Sequence, residues 1–323
     1  MPLIAVTGAS GHLGAAVVRV ALDAGHRVRA VDLRSGPGLE GLNVDFAAAD
    51  VLDDDAITRA LTGVELAFHL AGIISVTGDV GGQVWRTNVE GTAATARAAL
   101  QAGVRRFVHC SSVHAYDLEQ AGPYLDETAP RAEAAHLPVY DRSKAAGEQA
   151  VRGAIAQGLD AVMVNPTGII GPLDFGLSRM GRVFLALRQR RLPALVEGAF
   201  DWVDVRDVAD GLLRAAELGS TGENYLLSGK RLSVMELAQL AASITGVDPP
   251  RFVVPMAVAR LWGPLGNWLG RRTGSPLVFT GESLHALRHS PEVRSDKAAS
   301  DLGYQARPIR ETVSDLYEWF DRR

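Results

Sequence analysis

The stretch TGASGHLG at residues 7–14 decides the fold, because it joins a short apolar run at 3–6 to a helical pattern that extends to Ala24. A glycine turn between a strand and a helix is the setting of a dinucleotide-binding loop. Gly8 permits the tight turn, Gly11 admits a pyrophosphate close to backbone N–H groups, and Gly14 lets the helix pack on the sheet. The sequence therefore predicts a cofactor pyrophosphate at the positive end of this helix.

The next feature is a carboxylate, Asp32, at the end of a predicted second strand at 27–31. An aspartate at this place accepts hydrogen bonds from the adenosine ribose hydroxyls and repels a 2′-phosphate. The sequence therefore favours NAD over NADP. Arg34 lies two residues further on and leaves NADP open, since a guanidinium binds phosphate well.

Strands and helices then alternate along the chain, with strands predicted at 43–48, 64–70, 106–110 and 161–164 and helices at 53–61, 83–102 and 139–157. Six strands in this alternation predict an α/β fold with a Rossmann-type, doubly wound parallel sheet, whose ligand lies beyond the carboxyl ends of the strands. We assign residues 1–165 to this dinucleotide-binding domain.

The alternation stops after residue 165, so we expect residues 166–323 to form a smaller, irregular substrate lobe with some segments returning to the sheet. Within it we predict a strand at 224–227 and a helix at 234–245. The apolar stretch at 252–269 is interrupted by prolines, glycines and a charge, so it predicts a helix pair bordering a pocket.

The predicted helix at 139–157 places Tyr140 and Lys144 one turn apart on one face. A phenol, with an ordinary pKa of about 10, exchanges protons poorly at neutral pH until a fixed positive charge favours its anion. Lys144 is placed to supply that charge.

Composition narrows the possible partners. The chain has 323 residues, 47% hydrophobic and 22% charged, with a formal net charge of −4, which predicts a globular protein that does not bind nucleic acid. Cys110 is the only cysteine, which excludes an intrachain disulfide and fits a reducing cytoplasm. We expect no metal in the active site. The sequence shows no signal peptide and no uninterrupted apolar segment of about 20 residues, so we expect no stable membrane insertion.

The glycine motif, Asp32, Asp50, Asn88, Ser112 and the Tyr140/Lys144 pair together resemble the extended short-chain dehydrogenase/reductase family, over nearly the whole chain. The resemblance implies that Ser112 holds the substrate oxygen and that Tyr140 exchanges a proton with it. It implies that Lys144 binds the nicotinamide ribose and lowers the pKa of Tyr140. It also implies a homodimer formed through helices near 90–101 and 145–157.

The predicted site residues lie mostly at the carboxyl ends of strands. The expected cofactor-binding residues are Gly8, Ser10, Gly11, His12, Leu13, Gly14, Asp32, Arg34, Asp50, Val51, Leu70, Ala71, Gly72, Asn88, Tyr140, Lys144, Asn165, Pro166 and Thr167. The expected substrate contacts are His114, Met180 and Trp202, in an apolar wall that also includes Val76, Phe175 and Trp262.

Three of these polar residues have a second interpretation. Asp50 can instead cap the helix at 53–61, and Asn88 is either solvated or bound to main chain beside the active site. His114 is a second acid/base group, a substrate hydrogen-bonding residue or a plain wall residue. A further histidine, His69, we expect to be packed or hydrogen-bonded rather than catalytic.

The residues that follow Ser112 separate the family's branches. The 4,6-dehydratases carry an Asp-Glu pair there, whereas this chain has Val113 and His114, and a valine cannot protonate a leaving hydroxyl. We therefore expect an NAD-dependent oxidoreductase that interconverts a secondary alcohol and a ketone, or reduces an aldehyde. The alternative is a nucleotide-sugar epimerase that works by transient oxidation, and the third possibility is an NAD-binding sensor without turnover. In the epimerase, Arg179, Arg182 and Arg206 would be the candidates to bind a diphosphate, although surface salt bridges explain these arginines equally well.

Overall fold

The computed structural model describes residues 2–259 and 281–322. Its strands, in chain order, are β1 (Leu3–Thr7), β2 (Arg27–Asp32), β3 (Asp45–Ala48), β4 (Leu66–His69), β5 (Arg106–Cys110), β6 (Tyr124–Leu125), β7 (Ala161–Pro166), β8 (Gly168–Ile170), β9 (Leu195–Val196), β10 (Ala199–Asp204), β11 (Asn224–Leu227), β12 (Lys230–Ser233), β13 (Val253–Val254) and β14 (Glu292–Val293).

The described helices are α1 (His12–Asp23), α2 (Asp54–Leu61), α3 (Gln83–Trp85), α4 (Thr92–Gln101), α5 (Val139–Ile155), α6 (Arg179–Arg188), α7 (Val205–Leu218), α8 (Val234–Thr245), α9 (Gly281–Arg288), α10 (Asp296–Leu302) and α11 (Ile309–Asp321). A π-helical turn at Arg86–Gly91 joins α3 to α4. Among these helices none combines the length and the apolar character that crossing a bilayer requires.

The central sheet has seven strands in the order β11-β7-β5-β4-β1-β2-β3, and every neighbouring pair in it is parallel. Strand order runs outward in both directions from β1, so the crossover connections reverse between β1 and β4. In open parallel sheets a ligand binds at this switch point, beyond the carboxyl ends of the strands. The predicted Rossmann-type fold is confirmed.

The alternation of side chains along β1 divides the core into two layers. Ile4 and Val6 face the cluster that contains Val17 of α1 and Leu212 of α7, whereas Ala5 faces the cluster on the other side of the sheet, under α2, α4 and α5. Burying each large aliphatic side chain stabilises the fold by about 1.5–3 kcal/mol. Because helices cover both faces of the sheet, a ligand can reach it only at the strand ends, and the switch point lies at the carboxyl end of β1.

The chain after residue 165 contributes to the central sheet as well as forming a lobe. Strand β11 pairs with β7, with Asn224 opposite Met163, and α7 covers one face. The lobe itself contains the three-stranded sheet β12-β10-β8 and an apolar cluster centred on Phe184, Leu237 and Leu316.

Two details differ from the sequence prediction, and a third prediction falls mostly outside the described residues. Helix α2 begins at Asp54, and its cap is Asp53, whose carboxylate accepts a hydrogen bond from the Ala56 N–H at 2.9 Å. The assignment of Asp50 as this cap is wrong, because Asp50 lies one turn too early and accepts from the N–H of Leu52 at 3.0 Å. The helix at 83–102 contains the π-helical turn. Trp262 and most of the predicted helix pair at 252–269 lie outside the described residues.

Candidate active site

The glycine loop has the close backbone packing that a bound pyrophosphate requires. Gly8 adopts φ of 69°, and a Cβ built on it would lie 2.8 Å from the backbone N of Ala71, in the loop after β4. A Cβ on Gly14 would overlap the carbonyl oxygen of Gly8 and lie 2.7 Å from the Cα of Ala9. Gly11 caps α1 without a side chain, so no side-chain cap competes for the first N–H groups of the helix. These features fit a dinucleotide.

Asp32 is tied to this loop at the tip of β2. Its carboxylate accepts hydrogen bonds from the N–H groups of Ser10 at 2.9 Å and Leu33 at 2.8 Å. The hydroxyl of Ser10 donates to the carbonyl oxygen of Arg34 at 2.9 Å, while the Arg34 side chain is exposed. The half-buried carboxylate therefore lies where an adenosine ribose would meet it, and an exposed guanidinium lies close by.

We expect Asp32→Asn to shift cofactor preference towards NADPH. The substitution removes the negative charge that repels a 2′-phosphate but keeps an oxygen for the N–H of Ser10, and each 1.4 kcal/mol of relieved repulsion changes the preference about tenfold. The measurement is the ratio of kcat/KM with NADH to kcat/KM with NADPH. The control is Asp54→Asn, which removes an exposed carboxylate in the first turn of α2. A ratio that matches the wild-type value would contradict the role of Asp32.

Ser112, Tyr140 and Lys144 come together at the carboxyl end of β5. These residues are buried, with 8%, 9% and 8% exposed, and the Ser112 hydroxyl is close enough to the Tyr140 phenol to lower its pKa. The ammonium of Lys144 donates to the carbonyl oxygen of Cys110 at 3.0 Å. A Cβ on Gly72 would lie 3.9 Å from that ammonium, so the loop after β4 borders the same space.

The pKa of Tyr140 is shifted in the direction opposite to the expectation. Burial raises the pKa of its phenol above the usual value, although the neighbouring Ser112 hydroxyl acts in the opposite direction. The lowering of that pKa expected from Lys144 is not seen, because the ammonium is directed at the Cys110 carbonyl and its own pKa is lowered by burial. The phenol is therefore neutral, which is the form that donates a proton.

Asn88 and Asn165 bind the two segments that carry Tyr140 and Ser112. The Oδ1 of Asn88 accepts from the N–H of Ile73 at 2.8 Å, and its Nδ2 donates to the Ile73 carbonyl and to the Ser143 hydroxyl, each at 3.0 Å. The main-chain contact considered for Asn88 is therefore present. The Nδ2 of Asn165 donates to the Ser112 carbonyl at 2.9 Å and to Glu148 at 2.6 Å.

His69 is buried and hydrogen-bonded, as expected. Its Nδ1 lies 2.9 Å from the hydroxyl of Thr7, and its Nε2 lies 3.0 Å from the hydroxyl of Thr92. Burial, reinforced by the positive charge of Lys144, lowers the pKa of His69 to about 3. The ring is neutral, and it fixes the ends of β1 and β4 under the cofactor loop.

His114 lies between Tyr140 and an aromatic wall formed by Phe200 and Trp202. Its Nδ1 lies 3.1 Å from the carboxylate of Asp141, and its ring centroid is 5.6 Å from that of Tyr140 and 5.8 Å from that of Phe200. Phe200 is 5.4 Å from Trp202. Asp141 and Phe200 were not identified from the sequence, although Phe200 precedes Trp202 by two residues and so shares its face of the strand.

We expect the ion pair of His114 to make stability depend on pH. Burial disfavours the charged ring, but the attraction of the Asp141 carboxylate, 3.1 Å away, outweighs it, so the pKa of His114 is raised. This stabilisation is complete below the unfolded-state pKa of about 6.5 and is lost as pH rises through the raised value. His114→Asn should flatten the fall in free energy of unfolding, measured with urea, across that range. An unchanged slope would contradict this.

Several of the remaining predicted residues have side chains that contact other protein groups. His12 is 2.8 Å from the carbonyl oxygen of Pro172, and the Thr167 hydroxyl donates to Asp201 at 2.6 Å. Val51 is buried against Gly91. Met180 of α6 is half-buried in the lobe cluster. Phe175 packs at 4.7 Å from Trp319 and 5.1 Å from Arg19 of α1 instead of joining the wall.

Comparison with known proteins agrees with this geometry. Residues 4–228 match the model of the NAD dependent epimerase/dehydratase family. The chain belongs to this family. Membership in the NAD-dependent epimerase/dehydratase family makes NAD the cofactor and confirms the resemblance to extended short-chain dehydrogenases/reductases.

Individual relatives of this NAD-dependent epimerase/dehydratase family member match over nearly its full length. It is 35% identical to sterol demethylase protein B of Methylococcus capsulatus, covering 98% of each chain. It is 29% identical to a 3-beta-hydroxysteroid dehydrogenase of Mycolicibacterium neoaurum, covering 94% of this chain and 86% of that one. The crystal structure of gox2253 superposes with a TM-score of 0.86 at 35% identity, covering 100% and 98% of the two chains.

Proposed function

We propose that the protein is an NAD-dependent dehydrogenase or reductase that interconverts a secondary alcohol and its ketone, or reduces an aldehyde, on a bulky apolar molecule of the sterol or steroid type. The observation that carries this proposal is the meeting of the buried Ser112, Tyr140 and Lys144 at the carboxyl end of β5, beside an aromatic wall. Relatives named for sterol and steroid chemistry support the substrate class.

The chain's residues divide the work around one substrate oxygen. Ser112 donates a hydrogen bond to that oxygen and fixes its position, and Tyr140 gives it a proton during reduction or takes one during oxidation. NAD, when bound, supplies the group that accepts or donates the hydride. Lys144 and Asp32 hold the two riboses, and Asn88 and Asn165 keep the catalytic side chains in register. The wall of His114, Phe200 and Trp202 excludes water and contacts the apolar body of the substrate.

The ion pairs of Arg206 favour this proposal over the epimerase. Its guanidinium lies 2.7 Å from Asp204 and 2.6 Å from Asp315, and Asp204 is almost fully buried. An arginine whose donors are bound by two carboxylates of the same chain does not offer them to a diphosphate. One of the three arginines that the epimerase hypothesis needs is therefore committed to the fold.

The test is turnover with free cofactor. We expect the purified protein to generate NADH absorbance from NAD with a 3β-hydroxysterol or 3β-hydroxysteroid, in amounts equal to the ketone formed. Interconversion of nucleotide sugars without any net NADH would support the epimerase instead. Tight NAD binding without turnover of any alcohol, ketone or nucleotide sugar would support a sensor.

Three further features belong to the same proposal. We assign residues 1–165 to cofactor binding and 166–323 mainly to substrate binding. We also propose a homodimer formed through helices near 90–101 and 145–157, and a cytoplasmic location, to which the single cysteine is suited. Light scattering of the purified chain tests the dimer, since a monomeric mass at micromolar concentration would exclude it.

A further inference from the structure

Three histidines surround one carboxylate in a part of the molecule that the proposed reaction does not use. The Nδ1 of His285 is 3.5 Å and the Nε2 of His289 is 4.0 Å from the Oε1 of Glu119. The Nε2 of His136 is 3.4 Å from the other carboxylate oxygen, Oε2. Both oxygens of Glu119 therefore have imidazole nitrogens beside them.

The fold holds these residues together from two distant segments. His285 lies in α9, and the N–H of His289 donates to the carbonyl oxygen of His285 at 3.0 Å, so the helical turn continues and both rings lie on one face, 5.0 Å apart. Glu119 lies shortly before β6, which pairs with β14, and β14 begins three residues after His289. The pairing of β6 with β14 thus keeps the carboxylate and the rings in place.

The donor atoms have the chemistry and spacing of a transition-metal site. Imidazole nitrogen and carboxylate oxygen are ligands of zinc, and in a tetrahedral site with bonds of about 2.0–2.1 Å the donors are about 3.4 Å apart. The donor atoms of Glu119, His285 and His289 all lie within 4.8 Å of one another, so small side-chain rotations suffice to bring them onto an ion. These side chains are 34%, 20% and 26% exposed, which gives an ion access from solvent.

We propose that Glu119, His285 and His289 form a binding site for a zinc-type divalent ion, with His136 as the fourth ligand. Calcium and magnesium prefer sites made of oxygen ligands alone, so the nitrogen donors select zinc or its neighbours. A bound ion joins α9 to the segment that follows the catalytic strand β5. Asp141 and His114 are electrostatic neighbours of His285, so the ion also adds positive charge near the active-site wall.

The test uses the full chain without an affinity tag, freed of metal with a chelator and titrated with zinc chloride by calorimetry. We expect one equivalent of zinc to bind and to raise Tm. Cobalt(II), added as a spectroscopic probe, should show the visible absorption bands of a tetrahedral site. Neither readout depends on enzymatic activity, so the result stands whether or not the proposed reaction is correct.

Two variants distinguish a built site from scattered surface histidines. The double variant His285→Gln, His289→Gln should bind zinc at least about 100-fold more weakly, since loss of outer-shell partners alone costs 10–100-fold. The control is His26→Gln, at the opposite edge of the sheet just before β2, and it should bind like the wild type. If the double variant fails to fold, Glu119→Gln serves instead. Absence of tetrahedral cobalt bands in the wild type, or equal zinc affinity in the double variant, would show an ion-pair cluster only.

Discussion

Replacement of Tyr140 by phenylalanine is expected to reduce kcat by about 10²–10⁴, equivalent to about 3–5 kcal/mol of activation free energy. The change removes only the phenol hydroxyl near Ser112 and leaves the buried ring beside His114. NAD affinity should change little, because Asp32 and the glycine loop are untouched. The measurements are steady-state turnover and NAD binding by fluorescence or calorimetry.

The matched control is Tyr317→Phe. Tyr317 is a buried tyrosine whose hydroxyl donates to the Phe184 carbonyl at 3.0 Å inside the lobe, so its loss tests the general effect of deleting a buried phenol hydroxyl. We expect this variant to turn over like the wild type. If Tyr140→Phe retained more than about a tenth of wild-type turnover, the assigned proton transfer would be wrong.

The second large effect is expected from Gly14→Ala. A methyl group at this position overlaps the carbonyl oxygen of Gly8 and lies 2.7 Å from the Cα of Ala9, and these are backbone atoms that no rotamer change can move aside. Overpacking typically costs about 1–3 kcal/mol, and here the strain falls on the pyrophosphate loop itself. We expect lower stability in urea together with at least about tenfold weaker NAD binding, which corresponds to about 1.4 kcal/mol.

A second glycine-to-alanine change should have the opposite effect. Gly153 is exposed near the end of α5, and nothing lies within 4 Å of a Cβ built on it. Alanine restricts the unfolded chain and favours the helix, so Gly153→Ala should raise the free energy of unfolding by about 0.5–1 kcal/mol and leave NAD binding unchanged. Equal stability losses in the two variants would contradict the steric argument for Gly14.

The sheet and the meeting of Ser112, Tyr140 and Lys144 could be predicted from the sequence because their signals are local. Strand, glycine turn and helix follow one another within residues 3–24, and Tyr140 and Lys144 share one helix face. The carboxyl ends of parallel strands lie on the same side of the sheet. Topology alone therefore placed Ser112, which follows β5, near the glycine turn that follows β1.

The features that escaped prediction depend on long-range packing. Glu119 and His285 are far apart in the chain and meet only because β14 returns to β6. Phe200 lies in β10 of the lobe, and its ring stacks on that of His114, far from it in the chain. The raised pKa of Tyr140 follows from burial, which spacing between residues does not reveal. The π-helical turn at Arg86–Gly91 interrupts a continuous helical pattern, and its one glycine, Gly91, did not by itself predict the interruption.

Strand β11 has a consequence for how the protein can be divided. It occupies the outer edge of the sheet beside β7, and the backbone groups of Asn224 and Leu226 that it brings come from beyond the first 165 residues. A fragment ending at residue 165 would lack β11 and so would leave the backbone N–H and C=O groups of the buried strand β7 unpaired along one side. Such open strands pair with strands from other molecules. The amino-terminal fragment should therefore precipitate or form assemblies on expression, whereas the intact chain stays dispersed.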